Sequence, residues 1–246
     1  MAPNEPRFKR ILLKLSGEAL MGGNAFGIDP GVLKTVAKEV HSIQKLGVQV
    51  AIVIGGGNIF RGLKSAEYGI GRVPADQMGM LATVINAIAL GEALGNLGSE
   101  YRVMSAIDMN KITEPYIRGR ALHHLERGRI VILGAGTGNP FFSTDTAAAL
   151  RAMEIGAEVL LKATKVDGVY NTDPEKSPDA KPFTRLTYQE VIDRNLQVMD
   201  MTAVALAMGQ SLPIIVFNLR KRDNIRKVIL SEGIGTLISG GTRDER

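Results

Sequence analysis

The chain has 246 residues, 45% of them hydrophobic, and a formal net charge of +5 with a pI near 9.4. This length and apolar content support a full buried core, in one large α/β domain or two small ones, and they exclude a disordered chain. The absence of Cys excludes disulfides, zinc ribbons and thiol catalysis, and the small positive excess suits either anionic partners such as nucleotides or simple solubility.

Composition also argues against two classes of partner. The chain has no tract of five or more Lys or Arg and only 5% aromatic residues, which disfavours nucleic acid. The polar segment 1–9 lacks the apolar core of a signal peptide. The uncharged run between Asp76 and Glu92 is shorter than the ~20 residues that span a bilayer. We therefore expect a cytoplasmic protein without a membrane partner.

Strand-like apolar runs recur along the chain with helical segments between them. The runs are 9–15, 48–54, 101–107, 129–133, 158–162, 213–217 and 236–239. Runs that are apolar at nearly every position imply burial on both faces, as in a parallel sheet. The alternation predicts a three-layer α/β/α sandwich with a mainly parallel central sheet. We expect a single domain over 1–246, with flexible termini at 1–8 and 240–246.

Three helix signals lie between these runs. Asp29, followed by proline, predicts a helix start, and 187–190 predicts a capping box. A further helix, from Pro74 to about residue 97, is apolar on almost every side and must be covered on every side. A subunit interface would provide the second cover, and central burial within one subunit is the alternative.

The most distinctive segment is the glycine turn at 134–145, which joins a strand-like run to a helix-like run. It offers backbone N–H groups, the hydroxyls of Ser143 and Thr144, and the carboxylate of Asp145 where the helix at 146–155 begins. Backbone N–H groups and a helix dipole both favour negative charge, so this turn suits a phosphate group.

Other strand-like runs also end in glycines and cations. Lys14 to Gly17 follow the first run, Gly55 to Asn58 follow the second, and 162–170 follow a later one. Ligands bind beyond the carboxyl ends of parallel strands, so these groups should meet at one edge of the sheet. Each is weak alone: a strand-end lysine can reach water, a triple glycine can be a flexible turn, and a first-turn carboxylate can complement a helix dipole.

Several familiar motifs are absent. The P-loop pattern does not occur, and Phe60 stands where a dinucleotide fingerprint needs its third glycine. His41, His123 and His124 show no metal-ligand spacing, and we interpret them as surface histidines.

Five blocks in this order resemble the bacterial uridylate (UMP) kinases of the amino acid kinase superfamily. They are KLSGEAL at 14–20, GGGNIFRG at 55–62, DQMGMLAT at 76–83, GTGNPFFSTD at 136–145 and KATKVDGVYNTD at 162–173. The resemblance runs from about residue 9 to residue 238, and the 136–145 block is its most specific part. It implies transfer of a phosphoryl group from ATP to UMP, giving ADP and UDP, in pyrimidine nucleotide biosynthesis.

The resemblance also implies a role for each matching residue. The residues that would meet the ATP phosphates are Lys14, Leu15, Ser16, Gly17, Gly57 and Arg61. The residues that would hold UMP are Gly56, Asp76, Thr137, Gly138, Asn139, Pro140, Phe141, Phe142, Ser143 and Thr144. The adenine-ribose pocket would be lined by Thr164, Tyr170 and Asp173. An effector loop for GTP would consist of Gly22, Gly23, Asn24, Ala25, Phe26 and Gly27.

Further properties follow from the same resemblance. It implies that the chain assembles as a homohexamer, that GTP activates it and UTP inhibits it, and that the reaction needs Mg²⁺. The magnesium ion would lie mainly on the nucleotide phosphates, with few or no protein ligands.

Within this scheme four side chains are candidate catalytic residues. Lys14 would contact the transferring phosphoryl group, and Arg61 would offer a planar fork to nearby phosphate oxygens. Asp145 would orient Lys14 or a magnesium-bound water. Asp200 would organise the site, or would simply cap the helix expected at 202–209. Backbone N–H groups of 55–57 and 136–139 would add fixed dipoles.

Two alternatives remain open at this stage. The first is a relative that phosphorylates a carboxylate or carbamate, such as a carbamate, acetylglutamate or aspartate kinase. The Asp76 block and the Asn139 to Phe142 turn argue against it. The second is a nucleotide-sensing regulator without turnover that binds nucleic acid through its basic surface.

Overall fold

The computed structural model describes residues 5–60, 69–172, 177, 179–196, 198–231 and 233–240. These residues contain one nine-stranded sheet in the order β4-β3-β5-β2-β1-β6-β8-β9-β7. The strands are β1 Arg10–Leu15, β2 Gln49–Ile54, β3 Tyr101–Ser105, β4 Glu114–Pro115, β5 Ile130–Gly134, β6 Val159–Thr164, β7 Arg185–Thr187, β8 Ile214–Asn218 and β9 Thr236–Ser239. Every neighbouring pair is parallel except β8 with β9.

Helices cover both faces of this sheet. They are α1 Pro30–Gln44, α2 Arg72–Gly95, α3 Arg118–Glu126, α4 Thr144–Glu154, α5 Tyr188–Asp193, α6 Met201–Gly209 and α7 Asn224–Leu230, with a 3-10 helix at Gly17–Leu20. One core cluster joins the sheet to α3, α4, α5 and α6, and another joins it to α1, α2 and α7. Leu12 packs in the first cluster and Leu13 in the second, because successive strand side chains point to opposite faces. The predicted three-layer sandwich with a mainly parallel sheet is confirmed.

The local helix signals are confirmed at their predicted residues. Asp29 caps α1 by accepting a hydrogen bond from the N–H of Val32 at 2.9 Å, and Thr187 forms a capping box with Glu190 before α5. The helix after the glycine turn begins at Thr144, two residues earlier than the predicted 146, because the Ser143 hydroxyl caps it. The prediction of one domain with flexible ends stays a prediction, and its segments 1–4 and 241–246 lie outside the described residues.

Helix α2 is covered on one side only within the chain. Its inward residues are fully or nearly buried, whereas an outer stripe is between a third and a half exposed. The stripe consists of Val73, Met78, Leu81, Ile85 and Ile88. Among the described helices, α2 is the one long and apolar enough to span a membrane, but half of its apolar window is buried inside the chain, as in many core helices. The alternative of complete central burial within one subunit is therefore wrong for this stripe.

The interpretation of His124 as a surface histidine is also wrong. His124 is buried, not at the surface, because α3 packs it against the edge strand β4. Its Nε2 lies 2.9 Å from Glu114 and its Nδ1 lies 3.2 Å from Arg129. Since a guanidinium only donates, Nδ1 accepts and Nε2 carries the proton donated to Glu114.

Candidate active site

Two lysines and one aspartate form a buried ionic cluster at the carboxyl edge of the sheet. Lys14 of β1 and Lys162 of β6 lie directly opposite each other in the parallel register. Asp145, in the first turn of α4, lies between them, with Oδ1 2.8 Å from Lys14 Nζ and Oδ2 2.7 Å from Lys162 Nζ. The three side chains are only 8%, 12% and 13% exposed for Lys14, Lys162 and Asp145 respectively. We call these residues the Lys-Asp-Lys triad.

The triad holds more positive than negative charge in a buried place. Burial acts to raise the pKa of Asp145, but the ammonium groups of Lys14 and Lys162 outweigh it and hold that pKa below its ordinary value. Burial lowers the pKa of Lys162, against the opposing attraction of Asp145. Within the triad two cations share one anion, and this excess of positive charge suits a phosphate group. The Asp200 carboxylate is a further charge that acts on Lys162.

Asp200 is the N-cap of α6, which confirms the alternative that this residue caps a helix. Its Oδ1 accepts a hydrogen bond from the N–H of Ala203 at 2.9 Å. It also accepts hydrogen bonds from the hydroxyls of Ser143 and Thr146, the latter at 2.9 Å. Asp200 therefore ties the start of α6 to the start of α4, which presents Asp145. Both roles considered from the sequence, a cap and an organiser of the site, are compatible with this geometry.

A cavity of about 140 Å³ lies beside the triad, between α2 and the glycine turn. It is lined by Gly56, Gly57, Phe60, Ala75, Asp76, Gly79, Met80, Thr83, Gly136, Thr137, Asn139, Phe142 and Thr144. Six of these residues belong to the predicted UMP set. The volume is below the roughly 300–1,000 Å³ of typical small-molecule pockets. A nucleotide would therefore also occupy the open surface beside the exposed Phe141 and Phe142.

Asp76 fastens the glycine turn onto the first turn of α2. Its Oδ2 accepts a hydrogen bond from the N–H of Phe141 at 2.7 Å, and its two oxygens share the single Nε–H of Arg72 at 2.8 and 3.0 Å. The Arg72 guanidinium also lies 5.5 Å from the centre of the Phe141 ring. Asp76 is thus already a structural clamp, and binding of UMP at this carboxylate stays a prediction.

A second cavity, of about 460 Å³, lies on the other side of the triad. Its lining includes the predicted residues Thr164 and Tyr170, together with Val166, Gly168 and Leu196. Val198 also lines it, and the carbonyl of Val198 accepts a hydrogen bond from Lys162. The volume lies within the range of typical ligand pockets. Lys162 therefore connects this cavity to the triad.

The backbone of the glycine turn is held in an unusual conformation. Ala135 and Phe141 have φ values of 61° and 72°, a region that non-glycine residues rarely adopt. The N–H of Ala135 donates to the Thr83 hydroxyl at 2.7 Å, so α2 supports the turn at this point. Strain of this kind is often found at functional sites, where the surrounding structure maintains it.

The prediction for the backbone dipoles is wrong for three N–H groups. The N–H of Gly55 donates to the Leu15 carbonyl at 2.8 Å, that of Gly138 to the Ala135 carbonyl at 2.9 Å, and that of Asn139 to the Thr137 hydroxyl at 3.2 Å. Because these donors are engaged within the chain, they are not offered to a ligand. The N–H groups of Gly56 and Gly136 have no hydrogen-bond partner among the described residues.

Some predicted site residues stand apart from this geometry. Arg61 and Asp173 lie outside the described residues. The predicted effector loop Gly22 to Gly27 is mostly exposed, with Phe26 79% exposed, and it ends where the N–H of Gly27 donates to the Asn58 carbonyl. The loop therefore touches the Gly55 to Asn58 segment at its far end.

Two residues with central contacts had no predicted role. Lys162 was noted only as a strand-end residue, and Thr146 was not singled out. The sequence signal for Lys162 was its place near the end of an apolar strand run, like that of Lys14, but the register that sets the two lysines opposite each other is visible only in the fold. No sequence signal indicates that Thr146 meets Asp200, because the two lie on different helices.

The carboxylates at the site are not arranged as a metal centre. The part of the chain that the structure describes contains no group of three or more His, Cys, Asp or Glu residues that could hold a metal ion. Asp145 is paired with two lysines, and Asp200 accepts hydrogen bonds from Ser143, Thr146 and the α6 backbone. These residues do not fit a protein-built magnesium site.

A cavity larger than both of the cavities beside the triad, about 730 Å³, lies away from it, beside the strands β3 and β4. Its lining includes Glu92, Glu100, Arg102 and Lys111, and none of the predicted site residues. Size alone therefore does not identify the site, and the charge arrangement does.

A mainly parallel sheet with paired cations and glycine turns at its carboxyl edge defines an α/β protein built to bind phosphate groups. The chain belongs to the amino acid kinase family, which matches residues 9–218. It is similar to the crystal structure of UMP kinase from Bacillus anthracis, with 44% identity, a TM-score of 0.93 and coverage of 96% of this chain and 97% of that one.

Two further solved structures are similar. The UMP kinase from Ureaplasma parvum has 37% identity and a TM-score of 0.90 over 95% of this chain and 99% of that one. The uridylate kinase from Archaeoglobus fulgidus has 28% identity and a TM-score of 0.73 over 93% and 99%.

Proposed function

We propose that this chain is a UMP kinase that transfers the γ-phosphoryl group of ATP to UMP, giving ADP and UDP. The observation that carries the proposal is the buried Lys-Asp-Lys triad between two cavities at the carboxyl edge of the sheet. Family membership and the similarity to two bacterial UMP kinases at 44% and 37% identity support the choice of substrate. The pathway in which we place the reaction is pyrimidine nucleotide biosynthesis.

The reaction as proposed needs no general base. The second pKa of a phosphate monoester is about 6, so the UMP phosphate is largely dianionic at neutral pH and its oxygen is already a nucleophile. The main obstacles are repulsion between two polyanions and their alignment. An oxygen of the UMP phosphate bonds to the γ-phosphorus as the bond from that phosphorus to the β,γ-bridging oxygen breaks, and ADP leaves with the electron pair.

The triad is suited to this task because it brings fixed positive charge to one point. Lys14 would contact the transferring phosphoryl group, and Lys162 would contact phosphate oxygens from the side of the larger cavity. Asp145 is the positioning residue, since it holds both ammonium groups within 2.8 Å of its oxygens. Preorganised charges in a buried site stabilise developing charge more strongly than they would in water.

The two cavities give the proposed nucleotide positions. UMP would lie in the cavity beside Asp76, Thr137 and Thr144, and the adenine and ribose of ATP would lie beside Thr164 and Tyr170. ATP would enter as its Mg²⁺ complex, and the ion would neutralise phosphate charge that the triad does not reach. Arg61 would add a further cation.

Regulation and assembly are part of the same proposal. GTP would activate through the loop Gly22 to Gly27, and UTP would inhibit. The exposed apolar stripe of α2 supports a homo-oligomer, and we propose a homohexamer.

The experiment that tests the proposal is a coupled assay of ADP release with Mg²⁺-ATP. The acceptors are UMP, CMP, dUMP and TMP, each with and without GTP, beside carbamate, acetylglutamate and aspartate. Turnover with UMP well above every other acceptor is the expected result. Turnover with a carboxylate or carbamate in place of UMP would refute the substrate. No turnover combined with salt-sensitive nucleic-acid binding would indicate a regulator.

A further inference from the structure

Asn86 is a polar residue in an unexpected place. It lies in the middle of α2 on the face toward the sheet, it is 0% exposed, and its neighbour one turn later, Leu90, is an apolar core residue. Asn has a low helix propensity, and a buried amide costs free energy unless it is hydrogen-bonded. An apolar residue would satisfy the helix and the core, so the amide needs another explanation.

The side chains of Asn86 and Asn58 form a reciprocal pair. Asn58 Nδ2 donates to Asn86 Oδ1 at 3.0 Å, and Asn86 Nδ2 donates to Asn58 Oδ1 at 2.7 Å. Asn86 Nδ2 also donates to the carbonyl of Gly55 at 2.7 Å, and Asn58 Nδ2 also donates to the carbonyl of Gly27 at 2.9 Å. All four amide hydrogens of the pair are therefore engaged.

Chemistry fixes the orientation of both amides. A backbone carbonyl can only accept, so the nitrogen of Asn86 must face Gly55 and the nitrogen of Asn58 must face Gly27. Exchanging oxygen and nitrogen in either amide would place two acceptors against each other. The pair is thus a single-conformation contact, which is the property that a rigid support requires.

The turn that this pair supports is packed without spare space. A Cβ on Gly17 would lie 2.4 Å from Asn58 Oδ1, 2.7 Å from the nitrogen of Gly57 and 2.8 Å from the Gly55 oxygen. A Cβ on Gly56 would lie 2.8 Å from the Gly79 oxygen of α2. The start of the 3-10 helix at Gly17 therefore rests directly on the atoms that Asn86 holds.

We propose that Asn86 is a positioning residue for phosphoryl transfer. It fixes the carbonyl of Gly55 and the amide of Asn58, and through them it sets the distance between the segment at Lys14 to Gly17 and the turn at Gly55 to Gly57. The inference rests on the proposed function, because those segments would contact the phosphates. Asn86 itself is fully buried, so it would act through the turn and not by contact with a substrate.

The test compares the wild type with Asn86→Ala, Asn58→Ala, the double variant and Leu90→Ala. Leu90→Ala is the matched control, since it removes buried volume from the same face of α2 but no hydrogen bond of the turn. The thermal midpoint Tm is measured for each, and kcat and the KM values for UMP and ATP are then measured well below the lowest Tm. Asn58→Ala removes the same contact from the side of the turn, so it also serves if Asn86→Ala does not fold.

A positioning role predicts a loss of kcat on the order of 10- to 100-fold in folded Asn86→Ala, because small misplacements at a reacting centre have effects of this size. Leu90→Ala should lower the Tm but keep the wild-type kcat. The double variant should lose little more activity than the stronger single variant, since either substitution already breaks the shared amide pair. Wild-type kcat in folded Asn86→Ala, or losses that multiply in the double variant, would overturn the inference.

A second measurement separates this inference from the proposed function. Amide hydrogen exchange at Gly55, whose N–H is bonded to Leu15, should become faster in Asn86→Ala than in Leu90→Ala. If the wild type does not phosphorylate UMP, the proposed function fails, and the exchange rates still decide whether Asn86 holds the turn. Unchanged exchange at Gly55 would show that it does not.

Discussion

Removal of the negative charge at the centre of the triad should destabilise the folded chain strongly. In Asp145→Asn, Lys14 and Lys162 stay close together with side chains that are only 8% and 12% exposed, so solvent screens their charges poorly. Breaking a buried ion pair by removing one partner costs about 3–5 kcal/mol. Burial already lowers the pKa of Lys162, so this lysine can release its proton and reduce the penalty. We therefore expect a loss near the lower limit, about 3 kcal/mol.

The assay is thermal unfolding without nucleotide. For a chain of this size 1 kcal/mol corresponds to about 2–4 °C, so Tm should fall by about 6–12 °C. The matched control is Asp167→Asn, which removes an aspartate 2.7 Å from Lys221 where both side chains are about half exposed. A surface pair of this kind contributes about 0–1 kcal/mol. If Asp145→Asn has the same Tm as the control Asp167→Asn, the buried triad is refuted.

The pH dependence of this difference provides a further check. The pKa of Asp145 is held below its ordinary value, so its stabilisation is complete above the ordinary value and is lost as pH falls through the lowered one. The Tm difference between the wild type and Asp145→Asn should therefore narrow in acid. A difference that stays constant in acid would mean that the charge of Asp145 is not its source.

Four other changes test separate parts of the proposed site. Lys14→Ala should lower kcat by far more than it raises the KM for UMP, and an unchanged kcat in steady-state assays would remove Lys14 from the transition state. Asp76→Asn should weaken UMP binding in calorimetry and leave ATP binding nearly intact, whereas equal losses would contradict the assignment. Because burial lowers the pKa of Lys162, kcat should decline with rising pH already below the ordinary range of lysine pKa values. Lys162→Arg, whose charge persists at that pH, should not show this decline. A decline that remains in Lys162→Arg would mean that another group causes it. Ile85→Asp, on the stripe of α2, should reduce the oligomer size measured by light scattering, with Thr35→Asp on the exposed face of α1 as control. An unchanged mass would exclude this stripe as the interface.

Elements with strong local signals were predicted well from the sequence. Apolar runs identified the central strands to within a residue or two at each end, and 236–239 matched β9 at both ends. Asp29 and the capping box at 187–190 marked true helix starts. These features depend on alternation, caps and turn residues, which act over a few neighbouring positions.

Elements without such signals were missed. The edge strand β4 has two residues and β7 has three, too few to show any periodicity. No bounds were predicted for helices α3 and α7, and α3 carries the histidine pair whose second member is buried. These elements form because they pack against the rest of the sheet, and a short window of sequence carries no information about that packing.

The sequence by itself determined the inventory of the site: the glycine turns, Lys14, Asp145 and the strand ends that carry them. Only the tertiary structure decided which charges meet. The register of β1 with β6 brings Lys162 to Asp145, and the contact between α4 and α6 commits Asp200 to Ser143 and Thr146. The physical reason is that electrostatic pairing depends on distance in space, and that distance is set by strand order and crossover connections between segments far apart along the chain.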